Sequence, residues 1–219
     1  PTVPAYYPNG FPSTGIENAN PVVLATDMGG INDNPRYVFN GILKAKYDLP
    51  FLEGLSVDGF FSVDELSNRT RNFRTPYTLY NYNRESDTYD QIVAGGGPDQ
   101  QASLEEEQYN QSQTVANIKL NYKNSFGGHN LDAFVGYEQS ETNSHTLGAS
   151  RIHFPTVQTP ELSQGGPAAT DRNNYGYSYN FTRQSFLSRI AYDFEEKYLA
   201  EFQMRADGSS NFPEGKRFG

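Results

Sequence analysis

Six stretches of this sequence alternate apolar and polar residues with a period of two, and the links between them are by turns short and long. A period of two marks a β-strand with unlike faces, because successive side chains leave a strand on opposite sides. Residues 37–49 set Leu43, Ala45 and Tyr47 against Lys44, Lys46 and Asp48. Residues 55–63 set Leu55, Val57, Phe61 and Val63 against Ser56, Asp58 and Ser62, with Phe60 breaking the polar face. Residues 114–123 set Thr114, Ala116, Ile118, Leu120 and Tyr122 against Asn117, Lys119, Asn121 and Lys123. In 130–141, Leu131, Ala133, Val135 and Tyr137 oppose Asp132 and Glu138. In 184–194, Phe186, Ile190 and Tyr192 oppose Arg189 and Asp193. In 197–207, Tyr198, Ala200, Phe202 and Met204 oppose Glu201, Gln203 and Arg205.

Short links are expected at 50–54, 124–129 and 194–197, and long loops at 1–35, 64–112 and 147–183. The chain therefore reads as all-β, with antiparallel up-and-down strands and every short turn at one end. Long structureless loops are uncommon in compact soluble domains. Short turns at one end and long loops at the other are the plan of an outer-membrane barrel. Tyr47, Tyr122, Tyr192 and Tyr198 share the apolar face close to the short turns, as an aromatic girdle at one membrane interface would. The opposite face carries Lys119, Asp132, Arg189, Glu201 and Arg205 in mid-strand, which suits a wet lumen. A soluble antiparallel sheet with a solvated charged face, such as a β-sandwich carbohydrate-binding module, is the alternative.

Composition narrows the chemistry. A formal charge of −9 disfavours a nucleic-acid partner, and the absence of cysteine excludes thiolate ligands and nucleophiles. No apolar run is long enough for a transmembrane helix, but a transmembrane strand needs only about 9–11 residues. The opening proline and the lack of a signal peptide fit a mature or internal piece of a longer chain.

"SFLSRIAYDFEEKYLAEFQMRADGSSNFPEGKRFG" resembles a segment of the SusC/RagA-type TonB-dependent outer-membrane transporters. The residues that carry the likeness are Ser185, Phe186, Ser188, Arg189, Tyr192, Asp193, Lys197, Tyr198, Arg205, Asp207, Gly208, Ser209, Ser210 and Phe212. "LKAKYDLPFLEGLSVDGFFS" resembles an earlier strand–turn–strand of these barrels, and "HNLDAFVGYEQSE" their hairpin strand ending in Gly-Tyr-Glu. The resemblance covers about half of the chain, over 37–63, 114–141 and 185–219. It implies part of a large, 22-stranded barrel around an N-terminal plug. It also implies uptake of an oligosaccharide or peptide, drive from a TonB complex, a SusD-like surface lipoprotein as lid, and a Gram-negative outer membrane as site. No plug domain and no TonB box is recognisable in this sequence. On the same terms Lys119, Asp132, Arg189, Glu201 and Arg205 would face the lumen or plug, and lipid the other face.

No catalytic residue, metal ligand or cofactor is expected. Asp207-Gly208-Ser209-Ser210 has no neighbouring histidine, and His129, His145 and His153 form no ligand pattern. Gly-x-Ser-x-Gly and Gly-x-x-x-x-Gly-Lys-Ser/Thr motifs are absent, and Gly95-Gly96-Gly97-Pro98 reads as a flexible loop tip. The acidic run Glu105–Glu107 reads as a solvated stretch, and no EF-hand spacing occurs. Ligand or lid contact is expected at the tyrosine-rich loops, through Tyr77, Tyr80, Tyr82, Tyr175, Tyr177 and Tyr179, because tyrosine offers a flat apolar ring with a hydroxyl. The alternation of Tyr175, Tyr177 and Tyr179 equally fits an extension of the fifth strand.

Overall fold

The computed structural model describes residues 4–16 and 19–218. Nine strands are formed among them: β1 (Gly30–Asp33), β2 (Arg36–Asp48), β3 (Leu55–Arg74), β4 (Pro76–Asn83), β5 (Thr88–Gly95), β6 (Ser103–Phe126), β7 (His129–Ile152), β8 (Arg172–Phe194) and β9 (Tyr198–Ser209). One short helix, α1 (Pro21–Leu24), is capped by the Asn20 carboxamide. No helix among the described residues is long and apolar enough to cross a membrane.

The large sheet has seven strands in the order β1–β3–β6–β7–β8–β9, with β2 also paired to β3. It is antiparallel where its register is resolved, from Gly30↔Arg74 in β1–β3 to Phe194↔Tyr198 in β8–β9. The sheet is open, ending on unpaired edges. β4 and β5 form a separate hairpin, from Pro76↔Gly95 to Asn83↔Thr88. A sandwich would need two stacked sheets of similar size, and the second sheet here has only two strands.

The strands are much longer than the apolar alternation predicts. The expected loop 64–112 contains the end of β3, the whole β4–β5 hairpin and the start of β6. The expected loop 147–183 contains the end of β7 and the start of β8, leaving 153–171 as connection. The expected loop 1–35 holds α1 and β1. Apart from Tyr175, Tyr177 and Tyr179 in β8, alternation is weak in these extensions because most residues on both strand faces are polar, as in "DELSNRTRN" of β3 and "LEEEQYNQSQ" of β6, where Leu66 and Leu104 stand isolated. Backbone pairing does not need an apolar face. The links are correspondingly tight: Gly127-Gly128 alone joins β6 to β7, and both residues take the positive φ of +54° and +83° that a primed hairpin turn requires.

Two compact units are present. One comprises Pro1–Arg36, Asn68–Tyr109 and Thr146–Tyr177; the other comprises Tyr37–Ser67, Asn110–His145 and Ser178–Gly219. In the first unit, Val23, Tyr77 and Leu79 form one core beneath Ala94. Phe73, Ala102 and Leu104 form another, with Phe154 and Leu162 of the 153–171 connection packed on it. All the buried hydrophobic residues among those described belong to this unit. In the second unit no large apolar side chain among the described residues is buried, and many are exposed, among them Ile118 at 55% and Phe202 at 61%. A water-soluble layer must bury one face of its sheet, and this unit does not.

Candidate functional site: the charged face and the tyrosine segments

Side-chain pairing across the second unit defines its charged face. Lys119 meets Asp58 at 3.3 Å, and the Asn121 amide donates to the same carboxylate at 2.5 Å. Asn117 donates to Glu138 at 3.1 Å, Lys123 lies 3.9 Å from Asp132, and Asn130 donates to Asp193 at 2.9 Å. Arg189 grips Glu201 with Nε and Nη2 at 3.2 and 3.0 Å, a bidentate pair reaching from β8 to β9. Arg205 donates to Asp207 at 2.9 Å, and both bond the Ser185 hydroxyl. The five residues expected on the polar face, Lys119, Asp132, Arg189, Glu201 and Arg205, thus lie on one face together. Each is met by an opposite charge on a strand neighbour or on its own strand. Exposed pairs of this kind contribute little stability. Their consequence is a hydrophilic face whose charges largely cancel.

The apolar face carries two aromatic groups rather than one. Near the short turns, His129 stacks with Phe126 and Tyr192 and packs on Phe194, and its Nδ1 lies 2.6 Å from the Tyr192 hydroxyl. Towards the other end of the strands, Tyr137, Phe186 and Phe218 pack in series, with ring centroids 5.3 and 6.1 Å apart. Phe218 arrives from outside any strand. After β9 the chain turns through Ser210 and Phe212 and returns, so that Ser209 N–H donates to the Arg217 carbonyl and Phe218 bridges Gly208. A Cβ on Gly208 would stand 2.7 Å from the Phe218 ring, so only glycine admits this contact. The Ser210 hydroxyl accepts from Thr182 N–H at 2.9 Å. "RADGSSNF" is thus an ion-pair and turn motif, with no base beside its serines.

The six expected contact tyrosines have different surroundings. Tyr77 is 9% exposed and packs in the Val23–Leu79 core, so its ring is not available to a ligand. Tyr80 is covered on one face by Phe11, stacked at 4.1 Å. Tyr82 lies among Tyr7 and Tyr89, and its hydroxyl donates to Asp87, which raises the phenol's pKa. Tyr175, Tyr177 and Tyr179 are strand residues of β8. Tyr177 and Tyr179 are exposed at 63% and 51%. Tyr175 lies over Gly148 and donates to Glu107 at 2.6 Å. The acidic run is therefore engaged as well as solvated: Glu107 holds Tyr175, and Glu106 pairs with Arg69 and Arg71 at 3.5 and 3.2 Å. Gly95 ends β5 and Pro98 opens a 3-10 turn, so the glycine run lies in the link between the hairpin and β6.

The Glu107 carboxylate, with burial second, pushes the Tyr175 phenol up to about 12. Because this folded-state pKa is raised, the bond's contribution is complete below the ordinary phenol range and is lost as pH rises through about 12. In difference titration of tyrosinate absorbance, Tyr175→Phe is expected to remove a late-titrating phenol. Loss of one with an ordinary pKa would contradict the assignment.

His145 bonds Ser178 at 2.9 Å and His153 bonds Asp171 at 2.9 Å, so each histidine has its own partner. No group of three His, Asp or Glu side chains suited to a metal is found among the described residues.

No protein-family model matches the chain. It is 26% identical over 206 residues to TonB-dependent receptor P3 of Formosa agariphila, a match covering 94% of this chain and 18% of that protein. It is 30% identical over 103 residues to TonB-dependent receptor SusC of Bacteroides thetaiotaomicron, covering 47% of this chain and 10% of that protein. The fold matches solved structures of the RagAB peptide importer in its open-open and closed-closed states. Both give a TM-score of 0.70 at 22% identity over 92% of this chain and 20% of the solved one. The chain therefore spans a fifth or less of the length of these relatives. It is homologous to a segment of the SusC/RagA-type TonB-dependent receptors, a family of outer-membrane transporters rather than enzymes, and its open sheet matches part of their barrel.

Proposed function

We propose that this chain is a wall segment of a SusC-like nutrient transporter in a Gram-negative outer membrane, with its apolar face on lipid and its charged face on the lumen. The observation that carries this reading is the second unit itself. It buries no large apolar side chain among its described residues, yet sorts apolar and charged groups onto opposite faces. Phe186 and Phe194 lie eight residues apart on β8, about 26 Å along a strand. At a barrel strand's usual tilt this is about 20 Å of height, close to the apolar band of such barrels.

In this role Lys119, Asp132, Arg189, Glu201 and Arg205 wet the lumen and face a plug supplied by the rest of the receptor, through which a TonB complex acts. The RagAB structures are those of a peptide importer, which favours a peptide over an oligosaccharide as cargo here. They also favour a partner of the SusD-like lipoprotein kind on the outer side. Tyr82, Tyr177 and Tyr179 are the expected tyrosines whose rings are free enough to meet cargo or lid.

This segment holds no cysteine, so each label placed in it is unique once any cysteine elsewhere in the receptor is replaced. Single cysteines are placed at Ile118, Val135 or Phe202, and at Lys119 or Arg189, in the full-length receptor in membranes, and carry spin labels. Labels at the first three positions are expected to collide with oxygen dissolved in lipid, and those at the last two with a water-soluble nickel chelate. The reverse pattern would sink the reading.

A further inference from the structure

Beyond the second aromatic group, the apolar face of the second unit turns abruptly polar. On β7, Tyr137 is followed on the same face by Glu141, Asn143 and His145; on β3, Val63 is followed by Glu65; on β6, Ser112 precedes Thr114. Of these, Glu65, Ser112, Asn143 and His145 line one groove with Ser178 and Asn180 of β8, and Glu141 lies beside it, bonded to Asn143 and Asn180. The side chains are held in place by each other. Asn180 donates to Glu141 at 3.1 Å and to Asn143 at 2.6 Å, Asn143 donates to Glu141 at 3.0 Å, and Ser112 donates to Glu65 at 2.7 Å. Among the described lining residues none is lysine or arginine.

We propose that this groove binds the sugar headgroup of the glycolipid surrounding the receptor. The inference rests on the lipid-facing orientation proposed above. Asn143 stands six residues past Tyr137, about 20 Å along the strand and about 15 Å of height at the usual tilt. A side chain at that level on the outer surface has left the acyl chains and meets headgroups. The chemistry selects among headgroup parts. Amides, hydroxyls and an imidazole in fixed array donate to and accept from sugar hydroxyls, whereas a phosphate would meet carboxylates and no cation. The groove lies further along the same face of the same strands, so one lipid can place its chains on Tyr137 and Phe186 and its sugars on Asn143 and Asn180.

The test uses the full-length receptor in nanodiscs containing outer-membrane glycolipid, the same lipid stripped of its oligosaccharide, or both. Retained lipid is counted by native mass spectrometry after dilution into detergent. The intact glycolipid is expected to be retained about tenfold better than the stripped one, and N143A/N180A is expected to abolish the preference. If that variant loses heat-modifiable migration, H145A in the same groove provides the reading. Equal retention of both lipids, an unchanged preference in the folded variants, or removal of the glycolipid by EDTA overturns the proposal, the last because it means an ion-bridged phosphate. Spin labels at Ile118 and Val135 in the same discs separate the two failures. If they do not reach lipid, the orientation falls; if they do and retention is equal, only the sugar contact falls.

Discussion

Arginine at Ile118 is expected to block assembly of the full-length receptor, while glutamine at Lys119, the next residue, leaves it intact. Ile118 lies at the centre of β6's apolar face and is half exposed. Placing Arg at the midplane of a barrel's lipid face costs about 2–4 kcal/mol. Lys119 points the other way, over the Phe134 ring and to Asp58. Its neutral replacement loses one partly exposed ion pair, a change of about 0–1 kcal/mol. Glutamate would be a poorer control, because it sets a second carboxylate beside Asp58. Heat-modifiable migration of the receptor extracted from membranes reads both variants. Normal assembly of I118R together with failure of K119Q would show that the two faces have been exchanged.

The second large effect is expected in the first unit. Leu104 is fully buried against Phe73 and Ala102, and this small core holds Phe154 and Leu162 of the 153–171 connection. Leu104→Ala should cost about 2–5 kcal/mol of local stability, and Phe73→Ala about 3–5. The connection then keeps polar ties, among them Arg71 to the Pro160 carbonyl and Glu161, Arg151 to the Gly165 and Gly166 carbonyls, and Gly166 N–H to the Ile152 carbonyl. Both variants should therefore show fast proteolysis and hydrogen exchange within 153–171, with unchanged heat-modifiable migration. Protection of 153–171 at the level of the unaltered receptor would mean that the polar ties alone hold this segment.

The sequence was legible wherever one strand face was apolar. Ile118 against Lys119 or Phe202 against Glu201 states both the strand and its two faces, and the tertiary pairing keeps them as read. Legibility stopped where both faces became polar. Nothing in "DELSNRTRN" distinguishes a strand from a loop, because its order rests on backbone pairing and on partners remote in sequence, such as Glu106 for Arg69 and Arg71. The tyrosines failed for a related reason. Tyr77 and Tyr82 look alike in "TPYTLYNYN", but one face of that strand meets Val23 and the other meets Tyr7 and Tyr89.

By itself the sequence determined the strand faces, the tight turns and the family likeness, because period-two patterning and turn residues act locally. Only the tertiary structure decided how far the strands run, which tyrosines are buried, and that Phe218 returns over Gly208 to complete a second aromatic group. Those outcomes depend on contacts between segments tens of residues apart, and no local pattern encodes which of many polar or aromatic partners a side chain will meet.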